Sequence, residues 1–537
     1  MLHKTYRLII YPFITMPSER DPLLAPPTAN EEGKNIKKRS LDDTIERCIG
    51  KFGWAQLLQA TLASLAWIFD AQQTFVTIFT DVVPTWHCND DLSSSTCTDV
   101  CQLPAEAWGW DAAAHTSVVS EWGLQCAGAV ITGLPSTSYF VGCLVGGIAL
   151  STFADSSFGR KRMLAFSCCL MNVAAVLTAA ASNVWVYSAL RFLTGFGRAT
   201  IGTCALVLST EVVGRRWRGQ VGIIGFICFT FGFLSLPAIA YFNAGSSWRY
   251  LYLWTGIPGI IYSVIVYFVA GESPRWLYVR GMKQDFVQTI KNIAPPETRN
   301  SITTSFFGSF ILDNHDQDQE DQNMGMDLYA ALRLLLNKGW ALKRLLTVML
   351  VGVGTGMVYY GIPLGVGEMP LNLYLSTTLN ALSELPASLT TFLLIDKLKR
   401  RSSVLGLGLL SGACCVGCVV FVSEELRWVQ IGLEIVAFFN ACTAFNVLMI
   451  YTLELFPTCV RNSAVSIVRQ AMVLGGAISP LLVALGRANR FYSYGVFGLT
   501  IGVCCLFVIW LPETMGGEIC DTIDEEESKE NNGISKV

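Results

Sequence analysis

The chain has 537 residues, 52% of them hydrophobic and only 15% charged. Soluble domains carry about a quarter charged residues, so the composition excludes an ordinary globular protein, and a net charge of −3 offers no basic surface for nucleic acid. Apolar runs of about 18 or more residues, each able to cross a bilayer core of roughly 30 Å, recur along the sequence. Their backbone groups need internal partners in lipid, so they read as helices, and the chain reads as an all-α, multi-pass membrane protein.

Residues 1–51 form an N-terminal tail. Leu8 to Thr15 is apolar but short and broken by Pro12, with no small-residue cleavage site after it, so it does not read as a signal peptide. Glu19, Leu23 and Leu24 have the spacing of an acidic dileucine sorting signal, a pattern that also arises by chance in a Pro-rich tail. Lys34, Lys37, Lys38 and Arg39 precede the first span and place this end in the cytoplasm.

Residues 52–271 hold six expected spans, near Trp54–Pro84, Gly128–Phe153, Met163–Ala181, Trp185–Thr210, Gln220–Phe242 and Tyr250–Ala270. Between Phe52 and Gly159 there is no Lys or Arg, and the loop 85–127 carries Asp90, Asp91, Asp99, Glu106, Asp111 and Glu121. By the positive-inside rule this loop faces the cell exterior or a lumen. Its four cysteines, Cys88, Cys97, Cys101 and Cys126, face an oxidising side and allow two disulfides in three connectivities. The remaining cysteines mostly sit in apolar runs as small hydrophobes, and no pair suggests a metal site.

Residues 272–343 make a polar cytoplasmic connection. Phe286, Ile290 and Ile293 share one face of a helix over Met282–Ala294; Tyr329, Leu332, Leu335 and Leu336 do so before Lys343-Arg344. Both read as interfacial helices, with the acidic stretch Asp313–Asp321 looped between them. Residues 344–512 hold six more spans, near Leu345–Val366, Leu371–Ile395, Ser403–Val422, Trp428–Tyr451, Ser463–Leu485 and Tyr492–Leu511. Residues 513–537 form an acidic cytoplasmic tail, in which Asp521–Glu527 is expected to be disordered. Gly142 with Gly146, and Gly352 with Gly356, are small-residue pairs that let helices approach closely.

The two sets of spans repeat. Asp396 lies 241 residues after Asp155, and Glu513 lies 241 after Glu272, while the seven-residue step from Glu211 to Arg218 recurs from Glu454 to Arg461. Matched landmarks at nearly one offset mark two similar halves, the pattern of a transporter whose site lies between them.

The same landmarks carry a family resemblance. Ala154–Arg162 (ADSSFGRKR) and its repeat resemble the loop 2–3 and 8–9 signature of the major facilitator superfamily, and Arg191-x-x-x-Gly195 resembles its fourth-helix motif. Within that superfamily, SEWGLQC (Ser120–Cys126), GESPRWL (Gly271–Leu277) and YTLELFPTCVRN (Tyr451–Asn462) together resemble the organic cation/carnitine transporters, and ADSS resembles their plant branch. The match covers nearly all of the chain after residue 41. It implies 12 transmembrane helices in two pseudo-symmetric six-helix halves, alternating access around a midplane cavity, and no cofactor. It further implies gating or coupling roles for Asp155, Gly159, Arg160, Lys161, Arg191, Glu211, Arg218, Asp396, Arg400, Glu454 and Arg461. Ser151 in place of Gly, the extra residue at Ser156-Ser157 and Lys399 in place of Gly depart from the pattern and alter the expected ion-pair geometry.

Ionisable side chains at membrane depth each cost a few kcal/mol to insert and are functional candidates by default. They are Asp70 in span 1, Arg191 and Arg198 in span 4, Glu384 in span 8, Glu434 in span 10 and Arg469 in span 11. Each reads as a cavity wall or as half of a structural pair. In the resembled family a charged residue of span 11 just before a Gly pair helps set cation or anion preference. Here Val473 holds that place before Gly475-Gly476, with Arg469 one turn earlier. A substrate with a cationic and a carboxylate end would suit Asp70 or Glu384 at one end and Arg469 at the other. Tyr359, which matches a family tyrosine, and Tyr360 read either as cation–π partners of a quaternary ammonium or as core.

The expected activity is therefore transport of organic cations or carnitine-like zwitterions, with protons or sodium as candidate coupling ions. A sugar or phosphate carrier of the same superfamily is the alternative, followed by a nutrient sensor on a transport fold. All four histidines, His3, His87, His115 and His315, lie outside the spans, which argues against an intramembrane enzyme. The family's plant members reside in plasma and vacuolar membranes, and the dileucine pattern favours the vacuole.

Overall fold

The computed structural model describes residues 53–88, 100–104, 106–155, 158–214, 217–294, 299, 328–369, 371–394, 397, 399–421, 423, 425–487, 489–515, 520, 523 and 525–528. Side chains at 151–155 are not among them. The dileucine residues Glu19, Leu23 and Leu24, the loop cysteine Cys97, the acidic stretch Asp313–Asp321 and Asp396 lie outside the described residues, as does the Asp155 side chain.

Span 1 is three helical segments, Trp54–Ser64, Ala66–Phe75 and Thr77–Thr80. Leu65 and Val76 join them with right-handed helical dihedrals, so the chain keeps its course. The second break directly follows the polar run Asp70, Gln72, Gln73 and Thr74. All four side chains are buried, and the Gln73 carbonyl accepts from Arg191 Nη2 at 3.1 Å. Backbone groups freed inside a membrane helix must find such partners.

Spans 2 to 6 follow as Ala129–Asp155, Arg160–Thr178, Val184–Glu211, Arg218–Phe242 and Arg249–Val269. Spans 7 to 12 are Gly339–Gly365, Leu373–Leu394, Arg400–Val420, Arg427–Leu455, Thr458–Gly486 and Tyr494–Leu506, the last extended by a 3-10 turn to Trp510. Ten of these are long and apolar enough to cross a bilayer. Segmentation removes span 1 from that ten, and Asn380, Glu384 and a run of Ser and Thr remove span 8.

The apolar surface is turned outward, as a bilayer solvent demands. Span 6 exposes Ile257, Ile261, Val264, Ile265 and Phe268 along one stripe, the i, i+4, i+7 spacing of a single helix face. Span 7 is the most enclosed, with 78% of its most apolar window buried against 39% in spans 6 and 9. Close crossings repeat between halves. Gly232 of span 5 lies against the Ile68 backbone, and Gly475 of span 11, 243 residues later, lies against the Val353 backbone. Gly142 and Gly146 abut Phe192 and Phe196 of span 4, while Gly356 abuts Met472, so the small residues admit neighbouring backbones.

The long loop between spans 1 and 2 is not featureless. Trp86–Cys88 pairs antiparallel with Trp108–Trp110 in a two-stranded ribbon, Trp86 opposite Trp110. Cys101 and Cys126 are bridged, and Cys88 is disulfide-bonded as well. Glu121 ties the loop down, accepting from Trp248 Nε1 at 2.7 Å and Arg249 Nη1 at 2.5 Å at the start of span 6.

On the opposite, basic face, the helix Lys283–Ile293 buries Phe286, Val287, Ile290 and Ile293, and Gln56 of span 1 donates to the Ile293 carbonyl. Leu328–Asn337 packs on spans 7 and 11, with Leu335 fully buried and Leu336 half exposed. The expectation of a disordered tail is corrected at residues 525–528, which are helical. Glu526 meets Arg344 at 2.7 Å and Glu527 meets Lys338 at 2.6 Å, so the tail's acids are held by the cations at the base of span 7.

Candidate functional site

Of the charged residues within the spans, Asp70, Arg198, Glu384 and Arg469 lie where the two halves meet, while Arg191 and Glu434 contact only their own half among the described residues. Asp70 of span 1 forms a buried ion pair with Arg198 Nε of span 4. The Asp70 backbone carbonyl also accepts from Thr74 Oγ1, which reaches Tyr139 OH at 2.9 Å. The pair borders a cavity of about 30 Å³ shared with Tyr360, Phe445, Arg469 and Gln470 from the second half, room for about one water. Arg469 crosses the interface so closely that a side chain on Gly202 would lie 3.0 Å from its Nη2. Among the described residues, no hydrogen bond or ion pair engages the Arg469 guanidinium.

Glu384 is 7% exposed and receives hydrogen bonds from Tyr359 OH at 2.7 Å and, across the interface, from Thr230 of span 5 at 3.5 Å. Tyr359 leans on Phe445 with ring centroids 4.7 Å apart, which links Glu384 to the midplane cavity. Tyr360 packs on Phe140 of span 2 at 4.9 Å and lies 6.0 Å from the Arg198 guanidinium. Glu434 is 1% exposed, with Asn380 Nδ2 donating at 2.8 Å. Neither Glu384 nor Glu434 has a cation partner among the described residues. The acids Asp70, Glu384 and Glu434 are matched in number by Arg191, Arg198 and Arg469, yet only Asp70 and Arg198 are joined.

Arg191, for which the resemblance implies coupling or ion pairing within the first half, makes no ion pair among the described residues. It is fully buried, stacked 4.4 Å from the Tyr139 ring, and gives one hydrogen bond to the Gln73 carbonyl while Nε and Nη1 have none. Its neighbour two turns on, Arg198, holds the carboxylate instead. The Tyr139 and Tyr252 ring faces lie 4.4 and 5.9 Å from its guanidinium carbon, and Asp81 is a nearby acid that it does not touch.

Charged caps on the basic face account for the repeated motifs. Glu272 Oε1 accepts the backbone N–H groups of Arg160 and Lys161, both at 3.0 Å, and so caps the N-terminus of span 3. Glu513 does the same for span 9, accepting from Arg400 N at 2.7 Å and Arg401 N at 3.2 Å. Unsatisfied N–H groups and the positive helix end favour a carboxylate there. Burial nonetheless holds the Glu272 carboxyl above the usual carboxylate range, against the three backbone N–H groups that pull it down. Gly159 turns the chain into this cap at φ +85°, where a side chain would collide with Glu272 and Trp276.

The next links repeat as well. Ser273 Oγ donates to Glu211 and Thr514 Oγ1 donates to Glu454 at 2.6 Å, so the end of span 4 or 10 is tied to the end of its own half. In the second half Arg400 adds an ion pair to Glu454 at 3.0 Å. Arg218 opens span 5, and Arg461 Nε donates to the Phe456 carbonyl at 3.4 Å. The offset from Arg160 to Arg400 is 240, one less than the 241 between the capping acids, because the extra residue of the first loop precedes Gly159.

Sequence reasoning missed the partner of Asp70, the aromatic cage of Arg191, the caps made by Glu272 and Glu513, and Asp81. The caps had a signal in the 241-residue repeat of those two acids. Asp81 had none beyond its acidity, since it falls at the end of a span.

Two repeated helical halves, with Asp70, Arg198, Glu384 and Arg469 meeting at their interface, define a membrane transporter. Residues 105–480 match the model of the Major Facilitator Superfamily. The chain is 54% identical over 496 residues to organic cation/carnitine transporter 3 of Arabidopsis thaliana, covering 91% of this chain and 94% of that one. It is 53% identical over 509 residues to organic cation/carnitine transporter 2 of the same plant, covering 93% and 96%. The fold is similar to the crystal structure of a D-xylose–proton symporter, with a TM-score of 0.58 at 18% identity over 87% of this chain and 100% of that one. The chain belongs to the major facilitator superfamily and, within it, to the organic cation/carnitine transporter family.

Proposed function

We propose that the protein carries zwitterions of the carnitine type, and permanent organic cations, across a membrane by alternating access. The observation that carries this is a pair of opposite charges at the interface with no ion-pair contact of their own among the described residues: Glu384, and Arg469, whose nearby acid Asp70 is already taken by Arg198; Tyr359, Phe445 and Tyr360 lie between them. A buried ion without a counter-ion is costly, and a substrate bearing an ammonium and a carboxylate supplies both partners at once. Tyr359 and Tyr360 offer ring faces to the ammonium. The plant relatives' names support the same class of substrate.

In this reading the basic face with its helix caps is cytoplasmic, both termini lie there, and the long loop faces outside or a lumen. Asp155, Gly159, Arg160 and Lys161, with Asp396 and Arg400, work as gates together with Glu211, Arg218, Glu454 and Arg461. Protons or sodium are the candidate coupling ions, and the vacuolar membrane is favoured over the plasma membrane by Glu19, Leu23 and Leu24. Counterflow tests the transport reading. Proteoliposomes preloaded with unlabelled carnitine or tetraethylammonium should accumulate the labelled form, and absence of exchange for both would refute the substrate class. Replacing Leu23 and Leu24 by Ala tests the location, since an unchanged membrane would remove the signal.

A further inference from the structure

The second half holds a buried carboxyl that the substrate site does not use. Glu434 of span 10 is 1% exposed, and the fully buried Asn380 of span 8 donates to its Oε1 through Nδ2 at 2.8 Å. No charged side chain among the described residues acts on it. The titratable groups facing it are the thiols of Cys415 and Cys418 in span 9 and the phenol of Tyr494 at the start of span 12. Neighbouring charges reach those groups instead, Arg490 acting on Cys418 and Glu368 on Tyr494. Tyr359 of span 7 meets span 10 one turn further on, at Phe438, with its hydroxyl on Glu384.

The amide that holds Glu434 has an edge to spare. Asn380 Oδ1 is buried with no hydrogen-bond partner, next to the nitrogen that donates to the acid. A carboxylate has no hydrogen to give, whereas a protonated carboxyl has one. A lone carboxylate in such surroundings is costly enough that it takes up a proton instead. Asn380 also lies one turn before Glu384 on the same face of span 8, so a change at Glu434 reaches the substrate acid through a single helix.

We propose that Glu434 is the proton-binding residue of the carrier, loaded in the state described here and paired with Asn380 at two points. Uptake forms the carboxyl O–H bond and cancels one buried negative charge; the O–H then donates to Asn380 Oδ1 while Nδ2 donates to Oε1. Release returns the proton to water and leaves a carboxylate, whose charge has to be met by water or a cation. The packed surroundings of Glu434 favour the loaded form, so the unloaded form belongs to another arrangement of the halves, which is what coupling requires. Tyr494, whose hydroxyl is buried without a hydrogen-bond partner, lies within electrostatic reach of both Glu434 and Glu368. Glu368 in turn borders a space of about 130 Å³ between the halves, which gives the proton a way in. The proton site rests on the reading of the protein as a carrier of carnitine-type substrates.

Proteoliposomes holding the full-length protein, labelled carnitine and a trapped pH-sensitive dye test it. Under a pH gradient at clamped membrane potential, in sodium-free buffer, wild type should accumulate carnitine uphill while the dye reports proton movement. Glu434→Gln mimics the loaded form, its amide donating to Asn380 Oδ1. It should still exchange carnitine by counterflow, and should lose both the uphill accumulation and the proton movement. Glu434→Asp keeps a titrating group but draws it back from Asn380; it should stay coupled, with the pH midpoint of uptake shifted. Uphill accumulation by Glu434→Gln, or no proton movement with wild type, would overturn the proton site, while counterflow keeps the carrier reading intact. Loss of counterflow in a folded Glu434→Gln protein would overturn it as well and assign Glu434 to the substrate. Should Glu434→Gln not fold, an unshifted midpoint in Glu434→Asp overturns the site. Absence of counterflow with wild type would remove the carrier reading and the proton site with it.

Discussion

Asp70 and Arg198 lie 128 residues apart in the chain and in direct contact in the fold. Removing one partner leaves a buried charge uncompensated, a loss of about 3–5 kcal/mol. Arg198→Gln should therefore lower thermal stability more than Asp70→Asn with Arg198→Gln together, and a double-mutant cycle read by thermal unfolding checks it. Tyr359 is a smaller lever. Its hydroxyl donates to Glu384, and a hydrogen bond to a charged group is worth about 1.5–3 kcal/mol. Tyr359→Phe should weaken cation uptake by about tenfold or more in KM while leaving the fold intact. The sequence exposed these residues through their cost in a membrane, which needs no knowledge of contacts. It could not reveal which arginine of span 4 takes Asp70, because Arg191 and Arg198 are two turns apart on nearly one face and Tyr139 lies against both.

The helix caps belong to the scale of elements. Glu272→Gln and Glu513→Gln each weaken a helix N-terminus, an effect of about 1 kcal/mol in comparable caps. Gly159→Ala should do more, since φ +85° disfavours any side chain and the added methyl meets Glu272. Thermal melts should rank Gly159→Ala below both Gln variants. The long loop has its own element-level device in Glu121, whose carboxyl is held below the usual range by Arg249 first and Trp248 after it. A depressed carboxyl stabilises the folded state above its unfolded pKa of about 4.3 and loses that contribution as pH falls through the folded value. Hydrogen exchange at the start of span 6 should rise on acidification below about pH 4, and Glu121→Gln should abolish that dependence. Here the repeat of Glu272 and Glu513 made the caps legible in outline. Span 1 was not, because the partner of the Gln73 carbonyl beside its second break is Arg191 of span 4, which its own sequence does not contain.

At the scale of the molecule, the repeat in sequence becomes a repeat in packing: Gly232 and Gly475 seat equivalent crossings, and Glu272 and Glu513 cap equivalent spans. Twelve apolar runs, their charge signs and the family motifs made this architecture readable in advance. The held acidic tail was not, since its partners Lys338 and Arg344 sit on another segment and local composition alone suggested disorder. Two halves joined through an interface where Glu384 and Arg469 make no ion pair of their own among the described residues suit a substrate that carries both charges. The most direct test is uptake of labelled carnitine and labelled tetraethylammonium, side by side, by proteoliposomes holding wild type, Glu384→Gln or Arg469→Gln. Both substrates should enter with wild type, both should fall about tenfold or more with Glu384→Gln, and only carnitine should fall with Arg469→Gln. Equal loss of the two substrates in a folded Arg469→Gln protein would contradict a carboxylate end at Arg469 and the two-ended site with it.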